Sequence, residues 1–218
     1  MRRRPYQLVL FDEIHERALD ADFGLALAIE SQSALRPDLR IGAMSATVEG
    51  EAFKELLSTE KPCEQVTSTG ALYPVSTLHE HSALPAVEAV CQAGHSALQR
   101  FEGDGLLFLP GGRAIEEDRR TLQERLGGTV AVHGLYGAMP QKAQDAALAQ
   151  DPGGRRKLVV ASAIAEASLT LPGVRFVIDS GLARRPRYDP ARGFSRLETG
   201  PASRAAIDQR RGRAGRTS

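Results

Sequence analysis

The sequence has no tryptophan and only two cysteines, Cys63 and Cys91. Two thiols are too few for a disulfide scaffold and cannot build a metal site alone. A reducing, cytoplasmic setting is the simplest expectation. No run of about 18 apolar residues occurs, so no membrane span is expected. Met1-Arg2-Arg3-Arg4-Pro5 leads into a short apolar stretch that Asp12-Glu13 ends, too brief for a signal-peptide core. Internal repeats and low-complexity tracts are also missing. Net charge is nearly absent, at +1 over 218 residues. What remains is ordinary for a soluble globular protein of one or two domains: 42% hydrophobic and 25% charged residues.

The near-zero charge hides a division. Residues 153–218 hold 14 basic and 5 acidic side chains, whereas residues 1–152 hold 14 basic and 22 acidic ones. Asymmetry of this size points to a polyanion contact near the C-terminal end. A solvated arginine-rich face is the plain alternative.

The pattern of apolar segments predicts an α/β fold. Residues 7–11, 39–44, 105–109, 130–133, 157–161 and 174–178 read as short strands. Helical patterns cover 19–31, 51–57, 85–101, 114–126 and 141–150. Strands separated by helices in this rhythm argue for βαβ units and parallel sheets. The polar stretch 63–73, broken by Gly70 and Pro74, divides the chain into a region 1–70 and a region 71–218.

In such sheets ligands gather at the carboxyl ends of the strands. The first strand delivers Asp12 and Glu13 there, with His15 two residues on. Phosphoryl-transfer sites need this pairing, one carboxylate for Mg²⁺ and one for the attacking water. An acidic pair also simply favours the start of a helix. Ser45 and Thr47 follow the second strand and could equally cap the next helix. Gln209-Arg210-Arg211-Gly212-Arg213-Ala214-Gly215-Arg216 is more specific. Arg213 and Arg216 share a face if this stretch is helical, and their planar forks suit phosphate oxygens. Arginine spaced by glycine also occurs in disordered segments that bind nucleic acid.

Taken in order, these segments resemble the DEAH/DExH group of superfamily-2 helicases. Asp12-Glu13-Ile14-His15 matches motif II, Ser45-Ala46-Thr47 motif III and Gln209 to Arg216 motif VI. Leu106 to Gly111 looks like motif IV, and Ala161 to Thr170 like motif V. Leu135-Tyr136-Gly137-Ala138-Met139-Pro140 resembles a further family segment. The continuation through Asp179-Ser180-Gly181, Tyr188-Asp189-Pro190 and Leu197-Glu198-Thr199 is most similar to the bacterial HrpB type. The resemblance runs along essentially the whole chain.

The resemblance implies RecA-like parallel sheets of the P-loop NTPase/helicase fold. Residues 1–70 would be the later part of a first lobe, and 71–218 most of a second. It implies ATP as substrate, with Asp12 and Glu13 at the Mg²⁺ and Glu13 polarising the hydrolytic water. His15 would couple the nucleotide site to the rest of the enzyme, and Ser45 and Thr47 would link hydrolysis to lobe movement. Gln209, Arg213 and Arg216 would reach the γ-phosphate. Gly111, Ser162 and Thr170 would face the backbone of RNA or DNA, without reading its sequence.

Motif V departs from the family pattern, with Ala163 and Ala167 in place of Asn and Thr, and Gly112 stands where Gln is common. A Gly-x-x-x-x-Gly-Lys-[Ser/Thr] phosphate cradle occurs nowhere in these 218 residues. The chain is therefore expected to be a fragment of a longer helicase, lacking an N-terminal half-lobe and C-terminal domains, and to have little or no ATPase activity alone. The opposing expectation is a helicase-derived module that binds nucleic acid or a partner without catalysis.

Overall fold

The computed structural model describes residues 6–45, 50–58, 62–67, 73–166 and 171–215. The chain divides into two compact units, Met1–Gly70 and Ala71–Ser218.

In the first unit, strand β1 (Leu8–Phe11) runs parallel to β2 (Arg40–Ala43), with Leu8 opposite Arg40 and Phe11 opposite Ala43. Helix α1 (Leu19–Ala34) connects them, and α2 (Gly50–Leu57) follows. Arg36 closes the return: its guanidinium donates to the Tyr6 carbonyl at 2.9 Å and to the Asp38 carboxylate. Ile14, Leu25 and Leu39 are buried. The apolar run of β1 reads as a buried strand, yet Leu8 and Leu10 are about half exposed, at 49% and 55%. Hydrophobicity records the burial a strand is built for. Burial itself needs neighbours, and this sheet has two strands among the described residues.

The second unit holds a four-stranded parallel sheet in the order β4-β5-β3-β6. Helix α3 (Ala86–Arg100) leads into β3 (Asp104–Phe108), α4 (Gly112–Leu126) into β4 (Ala131–Leu135), and α5 (Gln141–Leu148) into β5 (Lys157–Ala161). Strand β6 (Val174–Asp179) completes the sheet. Both faces are covered, so its strands carry apolar residues on successive positions. Leu107, Leu158, Val160 and Val132 pack under α3 and α4 with Ile115 and Leu122. Leu106, Phe108, Val159 and Ala161 face the other way, toward Ala147, Ala165 and Leu171.

Buried charges tie this unit's elements. Lys157 is 1% exposed, and its ammonium donates to the carbonyls of Ala147 and Ala149 at the end of α5. There it meets the negative end of the helix dipole. Arg156 donates to the carbonyls of Leu98, Phe101 and Gly103 around the end of α3.

Strands β7 (Leu182–Asp189) and β8 (Phe194–Pro201) form an antiparallel hairpin absent from the sequence-based expectation. The hairpin has no buried apolar face to announce it: almost every residue of both strands is exposed or half-buried. Helix α6 (Arg204–Gly212) follows, capped by Ser203 Oγ, which accepts from the Ala206 amide.

Candidate active site

Asp12 and Glu13 stand at the carboxyl end of β1, where the backbone turns sharply. Glu13 has φ 50° and ψ 37°, in the left-handed region, and Arg17 repeats this at φ 53°. Between them Ile14–Glu16 makes one 3₁₀ turn. A left-handed non-glycine residue costs about 1–3 kcal/mol and persists only when its surroundings fix it. Ile14 does the fixing: it is 1% exposed, and its amide donates to the Met44 carbonyl at 3.1 Å. The Met44 amide in turn donates to the Phe11 carbonyl at 2.8 Å. The loops after β1 and β2 are thereby joined.

The turn exposes Asp12, whose Oδ1 accepts from the Glu13 amide at 2.8 Å. It half-buries Glu13 and buries His15, whose Nε2 lies 3.5 Å from Glu13 Oε2. Ser45 sits exposed just past β2. Thr47 lies outside the described residues.

In the second unit, Gln209 lies on α6, which ends at Gly212; Arg213–Gly215 continues as one 3₁₀ turn. The expected shared face of Arg213 and Arg216 reaches beyond the described residues. Arg216 lies outside the described residues. Arg213 is 4% exposed, and its Nη2 donates to the main-chain carbonyl of Glu166, just past β5. The Gly215 carbonyl accepts from the Tyr73 amide at 3.0 Å.

Gly111 and Ser162 both stand at the carboxyl edge of the parallel sheet, after β3 and β5. Gly111 has φ +114°, and a Cβ there would stand 3.1 Å from Arg184 Cδ. The backbone there strains any side chain, and Arg184 would have to shift slightly to admit one. The Ser162 amide donates to the Leu135 carbonyl. Thr170 is outside the described residues.

Arg210 belongs to no sequence-derived role, yet its guanidinium binds Glu166 and Asp179. Nothing in a run of arginines marks one as buried, so only the fold reveals it. No group of three His, Cys, Asp or Glu side chains that could hold a metal ion exists among the described residues.

A doubly covered parallel sheet with its polar and charged loops at the strands' carboxyl edge defines a RecA-like α/β domain. The chain belongs to the helicase conserved C-terminal domain family, which matches residues 86–218. It is 41% identical over 213 residues to the ATP-dependent RNA helicase HrpB of Escherichia coli, covering 96% of this chain and 26% of that protein. A probable ATP-dependent RNA helicase of Caenorhabditis elegans, a DHX35 homologue, is 34% identical, with 97% and 31% covered. The pre-mRNA-splicing factor ATP-dependent RNA helicase prp22 of Schizosaccharomyces pombe is also 34% identical, with 97% and 18% covered. The crystal structure of the E. coli DExH-box NTPase HrpB superposes with a TM-score of 0.84 at 40% identity, over 97% of this chain and 26% of that one. The chain thus spans less than a third of each relative.

Proposed function

We propose that the chain supplies motif II and the second lobe of an ATP-dependent RNA helicase. The observation that carries the reading is the turn after β1. A strained Glu13 holds its carboxylate beside His15, next to an exposed Asp12. Left-handed backbone on a carboxylate, locked by a buried neighbour, is the kind of strain that clusters at functional sites.

The donor set suits Mg²⁺, which takes oxygen ligands, keeps several waters and shares phosphates with one or two carboxylates. Asp12 would hold the ion, and Glu13 would share in holding it. When bound, the ion neutralises charge on the triphosphate oxygens. Glu13 orients the attacking water and accepts its proton, and His15 keeps the Glu13 carboxylate in place. Gln209, Arg213 and Arg216 bind the γ-phosphate, whose oxygens gather charge during transfer. Ser45 and Thr47 couple hydrolysis to movement.

Gly111, Ser162 and Thr170 contact the nucleic-acid backbone, with Arg184 against Gly111 adding a cation. RNA is favoured over DNA by the names of the three relatives.

The test uses the full-length protein that carries this chain, with RNA present and phosphate release as readout. Glu13→Gln keeps size and hydrogen bonding but cannot accept the proton. Turnover should fall by a factor of about 10²–10⁴, the usual worth of a positioned general base, with ATP binding retained. Equal turnover in the variant would remove Glu13 as the base, and a wild type without RNA-stimulated turnover would establish instead a module that binds RNA without this chemistry.

A further inference from the structure

Arg210 is 1% exposed, and all three of its guanidinium nitrogens are taken by protein groups, which leaves none for nucleotide or RNA. Its surroundings nevertheless specify it closely. Nε donates to Glu166 Oε1 at 2.6 Å, and Nη2 reaches the same oxygen. Nη1 donates to Asp179 Oδ1 at 2.8 Å and to the Leu182 carbonyl at 3.1 Å. The guanidinium lies over the Phe108 ring, 4.9 Å from its centroid.

These partners share a location. Phe108 is the last residue of β3, Asp179 the last of β6, and Glu166 lies just past β5. One guanidinium on α6 therefore gathers the carboxyl ends of three parallel strands. Glu166 also faces two arginines at once: its carboxylate takes Arg210, while its main-chain carbonyl takes Nη2 of Arg213.

We propose that Arg210 is a positioning residue for hydrolysis, setting Arg213 through Glu166. The inference rests on the hydrolytic reading above. Stability alone gives little reason for an arginine here, since a buried ion pair often does no better than apolar residues of its size. Geometry gives a reason. A planar fork binds two carboxylates and a carbonyl in fixed directions, which a lysine ammonium cannot do. With the fork in place, the Glu166 main chain has one position and holds Arg213 from it. Without it, Glu166 keeps its carbonyl but loses its fixed height above the sheet edge, and Arg213 meets the γ-phosphate off line.

The experiment compares wild type, Arg210→Lys, Glu166→Gln and the double variant in the full-length protein. It reads RNA-stimulated phosphate release against ATP concentration, RNA affinity by fluorescence anisotropy, and thermal unfolding. Arg210→Lys should lower kcat by roughly tenfold or more, with the KM for ATP and the RNA Kd within about twofold, as expected when only a transition-state interaction is lost. Glu166→Gln should do the same. The double variant should be about as slow as the slower single one, because both changes break one link. A kcat within about twofold of wild type for Arg210→Lys at unchanged Tm, or losses that multiply in the double variant, would overturn the inference. If Arg210→Lys fails to fold, Glu166→Gln alone decides: unchanged kcat overturns the link, and a selective loss of kcat supports it. A wild-type protein without RNA-stimulated hydrolysis removes the hydrolytic reading and this inference together. An active wild type with an unaffected kcat in Arg210→Lys removes the inference alone.

Discussion

Asp118 is a carboxyl group with 0% exposure on α4, set against the Cys91 thiol. Burial pushes it up to about 6, with the Cys91 thiol and the Arg125 charge acting against that rise and the Glu117 charge adding to it. Cys91, on α3, is pushed up to about 11 by the same burial and by Asp118, so it is an unreactive thiol. The native state therefore holds a proton on Asp118 that the unfolded chain has already released. Stability is highest below pH 4 as far as this group is concerned, and falls as pH rises from about 4 to about 6. A two-unit shift corresponds to on the order of 3 kcal/mol. Asp118→Asn should remove this limb. Urea unfolding at several pH values should show the difference between wild type and variant growing from pH 4 to 6 and then levelling. A difference constant over that range would mean that Asp118 stays charged inside the fold. At this scale the sequence was legible where chemistry is written in adjacent letters, as in Asp12-Glu13. It was silent on which arginine of a basic run is buried, or which acid of a charged helix faces inward, because burial is a property of the assembled fold.

The elements were easier to foresee. The strand at 157–161 and the helix at 141–150 match β5 and nearly match α5 because a continuous apolar run and a helical period are local signals. The hairpin β7–β8 was missed for the converse reason: its residues are mostly exposed and form no apolar stripe. Close packing within the sheet leaves a sharp signature at Gly105 on β3. A Cβ there would stand 2.3 Å from Phe176 Cζ on β6 and 2.6 Å from Leu158 Cδ1 on β5. Gly105→Ala must displace the Phe176 ring and the Leu158 side chain, which come from the two neighbouring strands. It should destabilise the second unit by about 1–3 kcal/mol, the usual cost of overpacking a dense core. The urea midpoint should drop without a change in slope; an unchanged midpoint would mean that Phe176 swings aside freely.

For the whole molecule, the charge division is the widest feature. The hairpin alone holds Arg184, Arg185, Arg187 and Arg196, with Arg192 in its turn. Two of these, Arg187 and Arg196, share Glu198. If four phosphates are neutralised on a single strand, raising salt from about 50 to about 200 mM should weaken RNA binding roughly 50-fold. Anisotropy titrations at several salt concentrations would give the slope, and a flat response would move the footprint away from the basic half. The charge asymmetry was plain in the sequence, whereas the surface that carries it depends on a hairpin no local signal announced.

The hydrogen bond between the Tyr73 amide and the Gly215 carbonyl has a consequence for the turn that carries Arg213. It ties the first described residue of the second unit to the last. The 3₁₀ turn Arg213–Gly215 is thereby clasped from two sides, by Tyr73 at Gly215 and by Glu166 at Arg213. Either catch alone would leave the turn that presents Arg213 hinged at one end.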